Sequence, residues 1–145
     1  MNDAFQTNPT CTHHSLDIRC SPAIAGEPIQ PFPSSTLDWA ITPEGVAFAP
    51  LIGDRFVEPY MAMVALPGGL VSPAHVKSAD MYGVIVSGVM THVALGDDGP
   101  QVHLPHGSFY RIPAKVPHVS SCISEEECVS FLYQDGAFDF VPVEE

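Results

Sequence analysis

From Leu37 onward the apolar residues come in short runs broken by Gly and Pro: LDWAI, GVAFAPLI, PYMAMVAL, YGVIVSG, MTHVAL, SFYRIP, ECVSFLY and FDFVPV. None holds a helical period over three turns, whereas short β-rich runs at roughly 8 to 12 residue spacing predict an all-β sandwich or barrel with little helix. In PYMAMVAL both alternating sets, Met61/Met63/Ala65 and Ala62/Val64/Leu66, are apolar or small. That pattern belongs to a strand covered on both faces, its methionines filling a core or a subunit seam. PGGL at Pro67 to Leu70, LGDDGP at Leu95 to Pro100 and YQDGAF at Tyr133 to Phe138 carry Gly or Asp-Gly turn chemistry, which predicts hairpins. Ahead of the runs, Pro9, Pro22, Pro28, Pro31 and Pro33 punctuate a stretch without periodicity. The expected organisation is an irregular N-terminal arm over 1–35 and one β domain over 36–145.

At 145 residues the chain has the length of one domain with a full core. Its 5 Lys and Arg against 17 Asp and Glu give a formal charge of -12. Such a surface repels phosphate backbones and anionic lipid, so nucleic acid and membrane are not expected as partners, which leaves a small molecule or a protein. No run reaches the length of a membrane span and the N-terminus MNDAFQTNPT has no apolar signal core, so the expected location is cytoplasmic. In that setting Cys11, Cys20, Cys122 and Cys128 read as reduced thiols. CTHHSLDIRC, from Cys11 to Cys20, fits neither a paired CxxC knuckle nor an HxxxH helix and reads as a polar segment.

Two glycine-led stretches carry the chemistry. Gly69 is followed by five residues and then His75, Val76 and Lys77, with Gly88 after the run YGVIVS. Gly107 is followed by five residues, then Pro113, Ala114, Lys115, Val116, Pro117 and His118. This resembles the two-part signature of the cupin superfamily. The first part there is a glycine, five residues, HxH, three or four residues, a glutamate, six residues and a glycine. The second is a glycine, five residues, PxG, two residues, a histidine, three residues and an asparagine. The chain keeps Gly69, His75, Gly88, Gly107, Pro113 and His118, and carries Lys77 for the second histidine, Met81 for the glutamate, Lys115 for the PxG glycine and Cys122 for the asparagine. SPAHVKSADMYGVIVSG and GSFYRIPAKVPH are most similar to small single-domain bacterial cupins, RmlC-like, many functionally unassigned, that neighbour diketone- and hydroxyacetophenone-cleaving dioxygenases and the sensor domains of some zinc-binding anti-sigma factors. The resemblance implies a double-stranded β-helix, the jelly roll of the cupin barrel.

In that family the histidines and the glutamate hold Fe, Mn, Ni or Zn inside the barrel. A protonated Lys77 repels a divalent cation, and the Met81 thioether is a poor ligand for these metals. Asp80 is the substitute carboxylate, one residue out of register, and is otherwise a turn-forming aspartate. His92 either faces inward as a third nitrogen or is an ordinary core or surface histidine, and His103 and His106 are expected to face solvent.

Two mechanisms therefore stand side by side for an enzyme acting on a carbonyl- or carboxylate-bearing small molecule. In one, His75 and His118 with Asp80 or an unidentified third group hold one divalent metal that polarises a carbonyl or activates oxygen, as in dioxygenases or lyases. In the other, no metal is needed: Lys77 with His75 or His118 moves protons in an isomerisation, cyclisation, dehydration or decarboxylation. This requires Lys77 to point inward among Met81, Ile85, Tyr110 and Ile112, where burial lowers its pKa; the alternative is a lysine whose head reaches water at the rim. Met81, Tyr110, Ile112 and Ser120 are the expected pocket residues, with Ser120 and Cys122 on the face of His118. Cys122 is read as a small wall residue. A non-catalytic ligand-binding or sensor domain is the competing class. A homodimer is the expected assembly.

Overall fold

The computed structural model describes residues 26–144. The chain divides into a first unit, Met1–Pro31, whose described part (26–31) has no regular element, and a second, Phe32–Glu145, which holds every element below. The expected arm over 1–35, with its CTHHSLDIRC segment, Cys11 and Cys20, falls largely or wholly outside the described residues.

Apart from one 3-10 turn at Ser34–Thr36, all regular structure among the described residues is strand, as the short apolar runs predict. The strands are β1 (Ala40–Ile41), β2 (Ala47–Ile52), β3 (Tyr60–Leu66), β4 (His75–Val76), β5 (Met81–Ser87), β6 (Met90–Ala94), β7 (Phe109–Ile112), β8 (His118–Cys122), β9 (Cys128–Gln134) and β10 (Val141–Pro142). They form a six-stranded sheet in the order β1-β2-β3-β9-β5-β7 and a four-stranded sheet in the order β10-β4-β8-β6. Pairing within each is antiparallel, as in a jelly roll. No helix among the described residues is long and apolar enough to cross a membrane.

From β3 onward every connection changes sheet. PGGL leads from β3 to β4, LGDDGP from β6 to β7 and YQDGAF from β9 to β10, each from one sheet to the other. The hairpins expected at these three turns are therefore corrected to crossovers. Glycine turn chemistry reports that the chain reverses, and says nothing of which sheet receives the next strand.

The inner face of the six-stranded sheet supplies most of the core: Phe48, Tyr60, Val64, Leu66, Met81, Ile85, Tyr110, Ile112 and Leu132 pack with Met90 and Cys122 from the smaller sheet. Met61 and Met63 lie on the opposite, half-buried face of β3, beside Tyr133 and Phe131 of β9. Gly83 lets this sheet close over its own ring: a Cβ there would stand 2.4 Å from the Tyr110 side chain. The motif glycines Gly69, Gly88 and Gly107 all have positive φ (77°, 75° and 82°). Lys115, where the signature has its fourth glycine, takes the same region at 64°, so the loop geometry survives a side chain that disfavours it by about 1 kcal/mol.

The expectation of reduced thiols is overturned for one pair. Cys122, ending β8, and Cys128, opening β9, form a disulfide with Cα atoms 5.7 Å apart. The short turn ISEEE brings the end of one sheet against the start of the other, within disulfide reach. Cys122 is thus a buried structural residue that ties the two sheets together.

Candidate functional site

Between the sheets lies a cavity of about 370 Å³. The six-stranded sheet gives it an apolar wall of Phe48, Val64, Leu66, Met81 and Leu132, with Tyr60, Tyr110 and Ser130. The four-stranded sheet contributes His75 from β4, Ser120 from β8 and Met90 and His92 from β6.

His75 and His118 sit directly opposite one another on neighbouring strands, with ring centroids 4.3 Å apart. His75 lines the cavity, stacked on Phe140 at 4.1 Å; His118 lies behind it, 2% exposed. Their tautomers are set by the backbone. Nδ1 of His75 lies 2.9 Å from the Pro73 carbonyl and Nδ1 of His118 lies 2.9 Å from the Val116 carbonyl. A carbonyl only accepts, so both Nδ1 atoms carry the proton and both Nε2 atoms present a bare lone pair. Nε2 of His118 is buried without a protein partner. Burial, opposed by the Pro73 carbonyl and aided by His118 and Lys77, lowers the His75 pKa to about 4. Burial lowers that of His118 as well, against its Val116 hydrogen bond and with Lys77 adding to the effect. At neutral pH both are uncharged.

Lys77 points inward. It is 5% exposed and lines the cavity, with its ammonium 4.1 Å from the ring centre of Phe138 and 5.4 Å from that of Phe140. Its Nζ donates to the Asp139 carbonyl. The Asp139 carboxylate accepts from the Ser78 amide at 2.9 Å, so one residue holds the lysine and the start of the next turn. Burial, partly offset by Asp139, lowers the Lys77 pKa to about 8. The lysine therefore remains mostly cationic at pH 7 and titrates within reach of it.

Tyr110, Met81 and Ser120 line the cavity as expected; Ile112 is buried in the core beside it and does not line it. Burial raises the Tyr110 pKa to about 12, so the phenol stays protonated. His92 also faces inward, its ring 4.2 Å from that of Tyr110 and its Nδ1 2.8 Å from the Ser120 hydroxyl. Burial, with His118 and His75 adding repulsion, lowers its pKa to about 3, and its Nε2 has no partner. His103 and His106 are exposed.

Asp80 is not brought to the histidines, which corrects its reading as a metal ligand. One oxygen accepts from Arg111 at 2.7 Å and from the Tyr82 hydroxyl at 3.1 Å, the other from the Ala114 amide at 2.8 Å. Those hydrogen bonds hold its pKa near 2 and fix it on the outer side of the sheet, where the register shift sends it. The donor set that remains is two or three neutral imidazoles, an ammonium and a thioether. No group of three or more His, Cys, Asp or Glu among the described residues converges as a metal site would. This set does not fit a full divalent-metal centre.

The family described as a domain of unknown function, DUF4437, matches residues 29–145. The chain belongs to that family. No curated protein matches this DUF4437 chain in sequence. Among solved structures it is similar to the polyketide cyclase RemF from Streptomyces resistomycificus, at 15% identity and TM-score 0.65 over 81% of this chain and 87% of that one. It is similar to KdgF from Halomonas sp., at 18% identity and TM-score 0.58 over 72% and 93%. An RmlC-like cupin family protein with a double-stranded β-helix fold from Methanocaldococcus jannaschii matches at 16% identity and TM-score 0.53 over 76% and 91%. The fold of this DUF4437 member is thus the RmlC-like cupin barrel.

Among the cavity residues that the sequence reading does not single out, one is charged and opposite in sign to the chain as a whole. Arg55, in the turn after β2, lines the same cavity as Lys77. The signal was available in composition: a chain with 5 basic residues places each of them at a cost, and Arg55 stands beside Phe56 in an otherwise acidic turn, GDRFVE.

Proposed function

We propose that this cupin is an enzyme that moves a proton next to a carbonyl of a small organic substrate, without a metal, in an isomerisation, cyclisation, dehydration or decarboxylation. The observation that carries the reading is a buried ammonium beside a neutral imidazole whose Nε2 lone pair is bare. Lys77 binds the carbonyl oxygen and stabilises the enolate that forms when the neighbouring C–H is broken. His75, which lines the cavity, takes the proton on Nε2. A base of pKa about 4 is weak alone. Part of that weakness is repulsion by Lys77, and an enolate bound to the ammonium cancels it, so the imidazole becomes more basic as the negative charge develops. The Tyr110 hydroxyl adds a donor to the cavity wall, and His118, its ring 4.3 Å from that of His75, packs against the base without lining the cavity. Similar folds include a polyketide cyclase, which supports small-molecule chemistry on this scaffold and goes no further.

Deuterium uptake from D₂O into the α-C–H of a panel of β-keto and aryl ketone compounds, followed by NMR, tests this. Lys77→Met is expected to slow exchange by about a hundredfold or more, and unchanged exchange would sink the assignment. The active window should close above about pH 8, as Lys77 loses its proton, and below about pH 4, as His75 gains one. A rate abolished by chelation and restored by Fe, Mn, Ni or Zn would return the site to metal chemistry. Binding without exchange would mark a ligand-binding domain instead. The proposed assembly is a homodimer, to be read by light scattering.

A further inference from the structure

The cavity has a second cation, built as deliberately as the first. Arg55 lies in the turn between β2 and β3, and its guanidinium carbon is 4.6 Å from the ring centre of Phe48, 4.5 Å from that of Phe56 and 5.4 Å from that of Phe138. Its backbone carbonyl accepts from the Phe138 amide at 2.6 Å, so the turn and the segment carrying Phe138 are fastened to each other. The acidic neighbours that would neutralise it are occupied elsewhere. Asp54 accepts from the Phe56 amide at 2.9 Å, and Glu58 accepts from the Asp54 amide at 3.0 Å. Among the described residues the one ion pair joins Arg111 to Asp80, far from this turn in the sheet order.

Charge placement adds a second line. The chain carries -12 overall with 5 basic residues, yet two of the four that fall among the described residues, Arg55 and Lys77, line this one cavity. Both lie against the ring of Phe138. The only other formally charged lining residue is Glu44, which leaves the wall with one net positive charge when the histidines are neutral. The rest of the lining is uncharged, apolar side chains interrupted by the hydroxyls and neutral imidazoles described above. An arginine held among aromatic rings, with its fork of donors unspent on protein carboxylates, is suited to a carboxylate in two-point contact.

We infer that Arg55 is a carboxylate-binding residue and that the cavity takes an apolar, ring-bearing monocarboxylate whose carbonyl group meets Lys77. This rests on the reading of Lys77 given above and adds the substrate class. The aromatic wall receives the ring, Arg55 holds the carboxylate, and Lys77, which also lies against the ring of Phe138, is left for the reacting oxygen. The geometry also excludes a use for Arg55 in proton transfer, since a guanidinium does not release its proton in a protein.

Titration calorimetry of the full chain with 2-naphthoate and with neutral 2-naphthamide separates the possibilities. The wild type should bind the carboxylate about tenfold or more tightly than the amide. Arg55→Gln should remove that preference and leave amide binding unchanged. Should Arg55→Gln lose its melting transition, Arg55→Lys decides: it keeps the charge without the planar fork and should weaken naphthoate by about threefold or more. Naphthoate affinity unmoved by either folded variant, or no preference for naphthoate in the wild type, overturns the inference. If Lys77→Met instead removes the preference, the carboxylate sits on Lys77 and the Arg55 assignment falls while the lysine remains an oxygen-binding cation. If Arg55 controls binding but no deuterium exchange is found, the inference stands and the catalytic reading falls.

Discussion

The two sheets that enclose the cavity are built on different principles. The larger buries Phe48, Tyr60, Val64, Leu66, Met81 and Leu132 against one another and would hold together with no ligand in mind. The smaller places His75, His118, Thr91 and Ser121 in buried positions, with His92 and Ser120 partly buried beside them, and leaves two ring nitrogens without partners. Buried polar groups without partners cost free energy, typically about 1–3 kcal/mol each, so the smaller sheet is a place where stability has been given up. The larger sheet carries most of the core and the smaller carries the imidazoles.

This contrast can be broken in three places. The largest effect is expected in the apolar sheet: Gly83→Val drives a side chain into Tyr110 and should lower unfolding stability by about 3 kcal/mol, read by chemical denaturation. A native-like melting curve there would show that the wall is looser than the packing indicates. Next comes the covalent tie between the sheets. Cys122→Ala with Cys128→Ala frees a short loop and should cost about 2 kcal/mol, equally visible in the wild type after reduction. The smallest is expected in the polar sheet. His118→Leu replaces a buried imidazole bearing an orphaned nitrogen, and stability should stay within about 1 kcal/mol of wild type while deuterium exchange falls by at least about tenfold. Equal losses of stability for Gly83→Val and His118→Leu would erase the distinction.

The same contrast explains what could be read from the chain. The apolar sheet announces itself as runs such as PYMAMVAL and ECVSFLY, which became β3 and β9 paired over their whole length. The polar sheet does so only in part, MTHVAL and FDFVPV holding β6 and β10. β4 is two residues, His75–Val76, and β8 reads HVSSC, a sequence whose inward positions are polar because they face a cavity rather than a core. Those strands are marked in the sequence only by the spacing of the motif glycines and histidines. Sequence placed Lys77 at the centre but left its direction open, because a lysine on a strand end packs at a rim as readily as it enters a pocket. What turns it inward is the Asp139 carbonyl, 62 residues away in the chain. Asp80 failed for the opposite reason: its local register was visible, and the Arg111 and Ala114 partners that confirm its outward turn were not. The disulfide was hidden by a general expectation about compartment, although the turn ISEEE between two strands was in plain view.

The hydrogen bond from Lys77 to the Asp139 carbonyl has a thermodynamic consequence of its own. A lysine that grips a ligand from a free surface must surrender its rotamer freedom at that moment, about 1.5–2 kcal/mol. Here the side chain is confined by Phe138, Phe140 and the carbonyl before any ligand arrives. One of its three N–H groups is engaged and two remain to meet an oxygen. Folding has already borne the ordering cost, so an oxygen that reaches this ammonium meets a donor with little conformational entropy left to lose.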